Sequence, residues 1–204
     1  MEDEVIPIPD PEPEPGDDIN VGDSFVYNGL QFCVYSNEDA SQTWPDLFPE
    51  ERIVILVHAN ADGNHPELVY SGDIVIPKRV EYKGKIFNVR GINSIAFKNT
   101  NVTSVYIPDD IYLFSMPSLV EENESGTFEN TNNLYSITIA LNRTTDWGNL
   151  GTIRLVNWFG RQTCNSSIQK IYVREEYLDE WKYIFSDEGS IAQTYDLSDK
   201  VYPI

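Results

Sequence analysis

The sequence predicts a mainly β fold. Short parallel strands stack on one another, a β-hairpin region closes one end, and a helix closes the other. Three observations predict it. Phenylalanines recur at Phe97, Phe128 and Phe159, at a spacing of 31 residues. After each comes an apolar triplet at relative positions 0, +3 and +5: Val102, Val105, Ile107; Leu134, Ile137, Ile139; Ile168, Ile171, Val173. Asn-rich links, "KNTN", "ENTNN" and "CNSS", fill the space between. The last two members of each triplet alternate, as residues do on a strand with one buried face. A lone strand-and-turn unit cannot bury its apolar side, whereas neighbours in register share a continuous core.

Even spacing carries more weight than any triplet. In a chain that is 41% hydrophobic, isolated matches arise by chance, and Leu150, Ile153 and Leu155 also fit. The distance from phenylalanine to triplet drifts through five, six and nine residues, so the units are not identical.

Residues 1–20 read as an acidic, proline-rich spacer. Positions 1–18 hold eight acids, no base, and five of the twelve prolines. Proline removes amide donors and favours extended polyproline II, and like charges at this density repel. A tail without a role is the plainer reading, and a spacer holding the domain off a surface is the functional one. Residues 21–90 read as the hairpin cap. In "FVYNGLQFCVYS" two apolar runs flank Asn28-Gly29, a pair that tolerates the positive φ of a tight hairpin turn. "ERIVILVHAN" is a β-branched run followed by the turn signal Asp62-Gly63-Asn64. "GDIVIPKRVEYKGKIFNVRGI" gives a strand, a break at Pro77, a second strand, a Lys83-Gly84 turn and a third strand.

Residues 91–174 hold the repeats. Their asparagines suit turns, because the side chain bonds locally and tolerates left-handed φ. Residues 175–204 form the helical cap. Tyr177, Leu178, Trp181, Ile184 and Phe185 make one apolar stripe at helical spacing, and Glu175 and Glu176 suit the positive end of the helix dipole.

Composition excludes several functions. With 33 acids against 14 bases the net charge is −19. Nucleic acid is not an expected partner, because binding phosphates needs Lys and Arg, and an anionic membrane is disfavoured for the same reason. No apolar run approaches the ~20 residues that span a bilayer. "MEDEVIPIPD" carries acids where a signal peptide has a basic region, so the chain reads as cytosolic or as a mature form. Cys33 and Cys164 either pair or stand as separate buried thiols.

Chemical sites are sparse. "HANADGNH" brings His58, Asp62 and His65 close in sequence, a zinc set if they converge and a polar loop if not. No helical HExxH context supports a metal, and no local signature activates Cys33 or Cys164 as a nucleophile. No glycine-rich phosphate loop is present, and no cofactor is expected. A binding face is the better candidate. Between the two buried members of each triplet sits an outward residue: Tyr106, Thr138 and Tyr172. Side by side, these could contact a protein or stack on sugar rings. The plainer reading is that Tyr and Thr are good exposed strand residues. Trp44 and Trp147, in polar segments, are further candidate contacts.

Three stretches then carry a resemblance: "GDIVIPKRVEYKGKIFNVRGINSIAFKNTNVTSVYIP" at 72–108, "TFENTNNLYSITIA" at 127–140, and "SSIQKIYVREEYLDEW" at 166–181. With these the chain resembles the BspA-like leucine-rich-repeat family of bacterial surface proteins. There a strand ends in Ile-Pro, an "AF" pair opens each unit, and "IYVP" leads into a Tyr-rich helix. The resemblance implies an α/β-type leucine-rich-repeat solenoid with irregular or short-helical returns. It also implies a place on the outer cell surface, with a lipid anchor in the precursor. Two departures stand out. The units are swollen by 111–125 and 141–152, and the Ile-Pro signal becomes Ile139-Ala140 and then Val173-Arg174. The function expected is a non-enzymatic surface binding or adhesion module whose partner is a protein or a glycan. A surface glycan hydrolase with unidentified carboxylates, and a purely structural domain of a larger assembly, are the rivals.

Overall fold

Two sheets arise from two kinds of connection: tight turns that reverse the chain, and long segments that return it in the same direction. The computed structural model describes residues 18–36, 52–93, 95–109, 111, 113–116, 126–141, 167–186 and 196–204. Residues 1–17 of the expected spacer, Trp44, Trp147, Phe159 and Cys164 lie outside these residues, as do most of 111–125 and 141–152. The last three spacer positions belong instead to the folded part: Ile19 is buried in the core, and Lys83 Nζ donates to Asp18 O at 3.0 Å.

The first sheet begins with a hairpin of β1 (Ser24–Tyr27) and β2 (Leu30–Ser36), antiparallel from Ser24↔Cys33 to Tyr27↔Leu30. Asn28 (φ 49°) and Gly29 (φ 77°) form its turn, where left-handed backbone matches the strand twist. β3 (Arg52–Leu56) continues antiparallel on β2. β5 (Arg79–Tyr82) and β6 (Lys85–Asn93) make a second hairpin around Lys83-Gly84, with φ of 48° and 71°. The expected turns therefore stand where the sequence puts them. The long pairings do not follow from hairpins: β3 lies parallel to β6, and β8 (Leu113–Met116) lies parallel to β6 on its other side.

The second sheet is parallel throughout. It runs in the order β11, β10, β9, β7, β4, where β4 is Ser71–Val75, β7 Asn101–Ile107, β9 Ser136–Ile139, β10 Lys170–Val173 and β11 Val201–Pro203. Along the chain, strands of the two sheets alternate from β4 through β6, β7 and β8 to β9. The chain thus coils as a leucine-rich-repeat-type solenoid, the fold that the resemblance implies. β4 falls within the stretch read as the hairpin cap, yet it forms the first rung of the parallel sheet.

The triplets supply the core between the sheets. Val102, Val105 and Ile107, then Leu134, Ile137 and Ile139, then Ile168, Ile171 and Val173 are each no more than 1% exposed. Behind the strands, Phe97 and Phe128 stack with ring centres 5.2 Å apart and planes 1° apart. Tyr70 extends the pile on the other side of Phe97, at 5.9 Å and 56°. The turns repeat with the rings. Asn99 (φ 58°) and Asn130 (φ 56°) both take left-handed backbone, and Asn130 Nδ2 donates to Asn99 Oδ1 at 2.9 Å. The hydroxyls of Thr100 and Thr131 both donate to the Phe97 carbonyl at 2.7 Å. Asparagine therefore both closes each turn and binds it to the next.

Polar groups join the hairpin region to the stack. The Tyr70 hydroxyl donates to Val57 O and accepts from Gln31 N, each at 2.8 Å. Burial, offset in part by that amide, pushes the phenol well above its usual pKa. Gln31 is itself fully buried and satisfied: Nε2 donates to Ser24 Oγ at 2.8 Å and Oε1 accepts from Ala61 N at 3.0 Å. At the other end a 3₁₀ turn, Glu175–Tyr177, leads into α1 (Leu178–Ile184). Its stripe faces inward as expected: Trp181 and Phe185 are buried, their ring centres 5.8 Å apart, and Tyr177, Leu178 and Ile184 pack partly buried against the core.

Candidate binding face

A strand that buries alternate residues must present the others. In the parallel sheet these others line up in rows, because register fixes which residue neighbours which. One row reads Val75, Tyr106, Thr138, Tyr172, Tyr202 across β4, β7, β9, β10 and β11. Tyr106, Thr138 and Tyr172 therefore stand side by side, one per strand. Tyr106 is 38% exposed, and Thr138 and Tyr172 are half-buried. The structure adds Tyr202 (42% exposed) at one end and Val75 (67%) at the other. The rings of Tyr172 and Tyr202 lie 6.2 Å apart, tilted at 47°.

The neighbouring row toward the strand beginnings is polar: Asp73, Ser104, Ser136, Lys170. Asp73 Oδ1 accepts from Ser104 Oγ at 2.7 Å and from Thr103 Oγ1 at 2.8 Å, and these hydroxyls hold its carboxyl below the usual carboxylate range. Lys170 sits at the far end of that row. Its Nζ is 6.0 Å from the centre of the Tyr172 ring. The Tyr172 hydroxyl, then Tyr135 and Tyr202, push its pKa up. Just past the strand ends, Asp109 pairs with Lys78 and, at 3.5 Å, with Arg174. Arg174 Nε also donates to Ala140 O at 2.9 Å. Lys78 first, with Arg174, keeps the Asp109 carboxyl below its usual range.

Sequence spacing misses Tyr202 and Lys170 as parts of this face. A signal for both exists: Lys170-Ile171-Tyr172-Val173 is echoed 30 residues later by Lys200-Val201-Tyr202-Pro203. The echo lies beyond the helix, where a capping segment rather than another rung is expected.

The other candidates disperse. His58 Nε2 is 3.0 Å from Lys98 O and so links the loop after β3 to the first repeat turn. His65 lies 3.9 Å from Asp62 and 4.0 Å from Glu67. Among the described residues no group of three or more His, Cys, Asp or Glu is placed to hold a metal. Cys33 is half-buried, and burial, then the charges of Asp23 and Asp62, raise its thiol pKa, which disfavours the thiolate a nucleophile needs. Among the described residues no helix is long and apolar enough to cross a membrane.

Two solved structures are similar to this chain. One is a leucine rich cell surface protein from Faecalibacterium prausnitzii A2-165, with 15% identity and a TM-score of 0.37 over 89% of this chain and 30% of that one. The other is a leucine-rich repeat protein from Bacteroides capillosus ATCC 29799, with 14% identity and a TM-score of 0.38 over 74% of this chain and 98% of that one. The chain thus spans less than a third of the length of the Faecalibacterium protein. No family model matches the chain, and none of the curated proteins does.

Proposed function

We propose that this chain is a non-enzymatic binding module of a bacterial cell surface, and that its parallel sheet presents Tyr106, Thr138 and Tyr172 to a protein or glycan partner. The observation that carries this reading is the register. Tyrosines of separate repeats converge on one row, with Tyr202 continuing it, and the whole row shares one face. Tyrosine provides large contact area with few rotatable bonds and a hydroxyl at its tip, which suits an interface that is dry at its centre and wet at its rim. The surface setting is supported by the resemblance to BspA-like proteins and by the acidic, proline-rich opening. A segment of that composition belongs between an anchor and a domain. A lipid anchor on the precursor belongs to the same reading.

An array of glycans and surface proteins probed with the full chain tests the face. The expected outcome is a set of ligands whose signal falls at least about tenfold in a Tyr106→Ala, Tyr172→Ala double variant. Unchanged binding by that variant discards the face.

A further inference from the structure

The outward face is not uniform in charge, although the chain is strongly acidic. Among the described residues, the outward positions of the five strands carry one acid, Asp73, and one base, Lys170. They stand at opposite ends of one row, three strand spacings apart, or about 14 Å. Asp73 is occupied by the hydroxyls of Thr103 and Ser104. Lys170 stands among tyrosines: its Nζ is 6.0 Å from the centre of the Tyr172 ring, its backbone amide donates to Tyr135 O at 3.3 Å, and Tyr202 neighbours Tyr172 on the next strand. Tyr135 is 50% exposed and Tyr202 42%.

We propose that Lys170, Tyr135, Tyr172 and Tyr202 form a subsite for an acidic sugar at the β10–β11 end of the face, with Lys170 pairing the sugar's carboxylate. This rests on the binding face proposed above and names its ligand. A phenol ring offers a flat apolar surface to the C–H face of a sugar, and an ammonium gives a charge-assisted hydrogen bond to a carboxylate. The hydroxyls of Ser136 and Thr138 on the adjoining strand complete a surface suited to a polyhydroxylated ligand. An extended peptide is less well matched. It gains affinity from backbone pairing along a strand edge, here that of β11, whereas Lys170 and the tyrosines offer side chains on the sheet face. The acids elsewhere on the chain act over a Debye length of about 8 Å at physiological salt, so they slow approach more than they cancel a direct contact.

Calorimetric titration of the full chain with oligogalacturonate, its methyl ester and poly-glutamate tests the subsite. The wild-type chain should bind the free acid about tenfold more tightly than the methyl ester. Lys170→Gln should lose that preference, and Lys170→Arg should keep it. Tyr172→Ala should weaken both forms. Lys170 is only partly buried, so an unchanged urea midpoint for Lys170→Gln separates lost contact from lost fold. An unchanged acid-to-ester ratio in Lys170→Gln, with both forms still lost on Tyr172→Ala, overturns the subsite and leaves the face standing. Poly-glutamate binding more tightly than oligogalacturonate through Lys170 makes the ligand an acidic peptide and overturns the sugar. No binding of either sugar form overturns the subsite, and silence across the array as well removes the face with it.

Discussion

At the scale of single residues, a few polar side chains settle groups that would otherwise be stranded. Tyr70 is the plainest case, because its hydroxyl serves two buried backbone atoms, Val57 O and Gln31 N. Tyr70→Phe keeps the ring against Phe97 and strands both. A loss of about 1–3 kcal/mol in urea unfolding is expected, the cost of buried groups left unpaired. Asn130 is a case of backbone geometry. At φ 56° a β-carbon is strained, by about 1–2 kcal/mol for an ordinary residue. Asn130→Ala should therefore destabilise more than Asn130→Gly, although both lose the bond to Asn99. If thermal melts rank the two variants the other way, the left-handed turn does not govern this position.

At the scale of elements, the repeat is a coupling device. Phe97 and Phe128 belong to successive units, and their stacked rings tie one turn of the coil to the next. Either ring replaced by alanine should cost about 3–5 kcal/mol, since both are fully buried. The pair should show a coupling of about 0.5–1.5 kcal/mol in a double-mutant cycle, the usual worth of an aromatic pair beyond its burial. Strict additivity would mean the rings are merely near each other. At this scale the sequence was readable because its signals are local. The Asn28-Gly29 and Lys83-Gly84 turns and the alternation in "SVYI", "SITI" and "KIYV" sit within a few residues. The first turn of the terminal helix differs from expectation only in tightening to 3₁₀ over Glu175–Tyr177, with no side-chain cap at Arg174.

At the scale of the whole molecule, charge and stacking set the response to conditions. The Asp109 carboxyl, beside Lys78 and Arg174, ionises more readily in the folded chain than in the unfolded one. A depressed carboxylate stabilises the fold fully above its unfolded pKa of about 3.9 and ceases to as pH falls through its folded value. Asp62, Asp73 and Asp196 are shifted the same way. Asp109→Asn should thus unfold at lower urea than the wild type at neutral pH, and the two midpoints should converge below about pH 4. A constant gap down to strongly acidic pH would remove Asp109 from the pH response. The clasp also has a place in the architecture: it ties segments that follow β4, β7 and β10, so it spans rungs that are not all adjacent.

The sequence by itself determined the period, the turns, the buried triplets and the outward positions Tyr106, Thr138 and Tyr172. Each follows from φ preferences or strand alternation, which act between near neighbours in the chain. Only the tertiary structure decided that β4 is a rung rather than cap, that β3, β6 and β8 pair in parallel, and that β11 brings Tyr202 beside Tyr172. Parallel pairing joins residues 22 to 36 positions apart, and its register depends on where the long connections deliver each strand. No local preference encodes that delivery, so the company that Lys170 keeps becomes visible only once the strands are laid side by side.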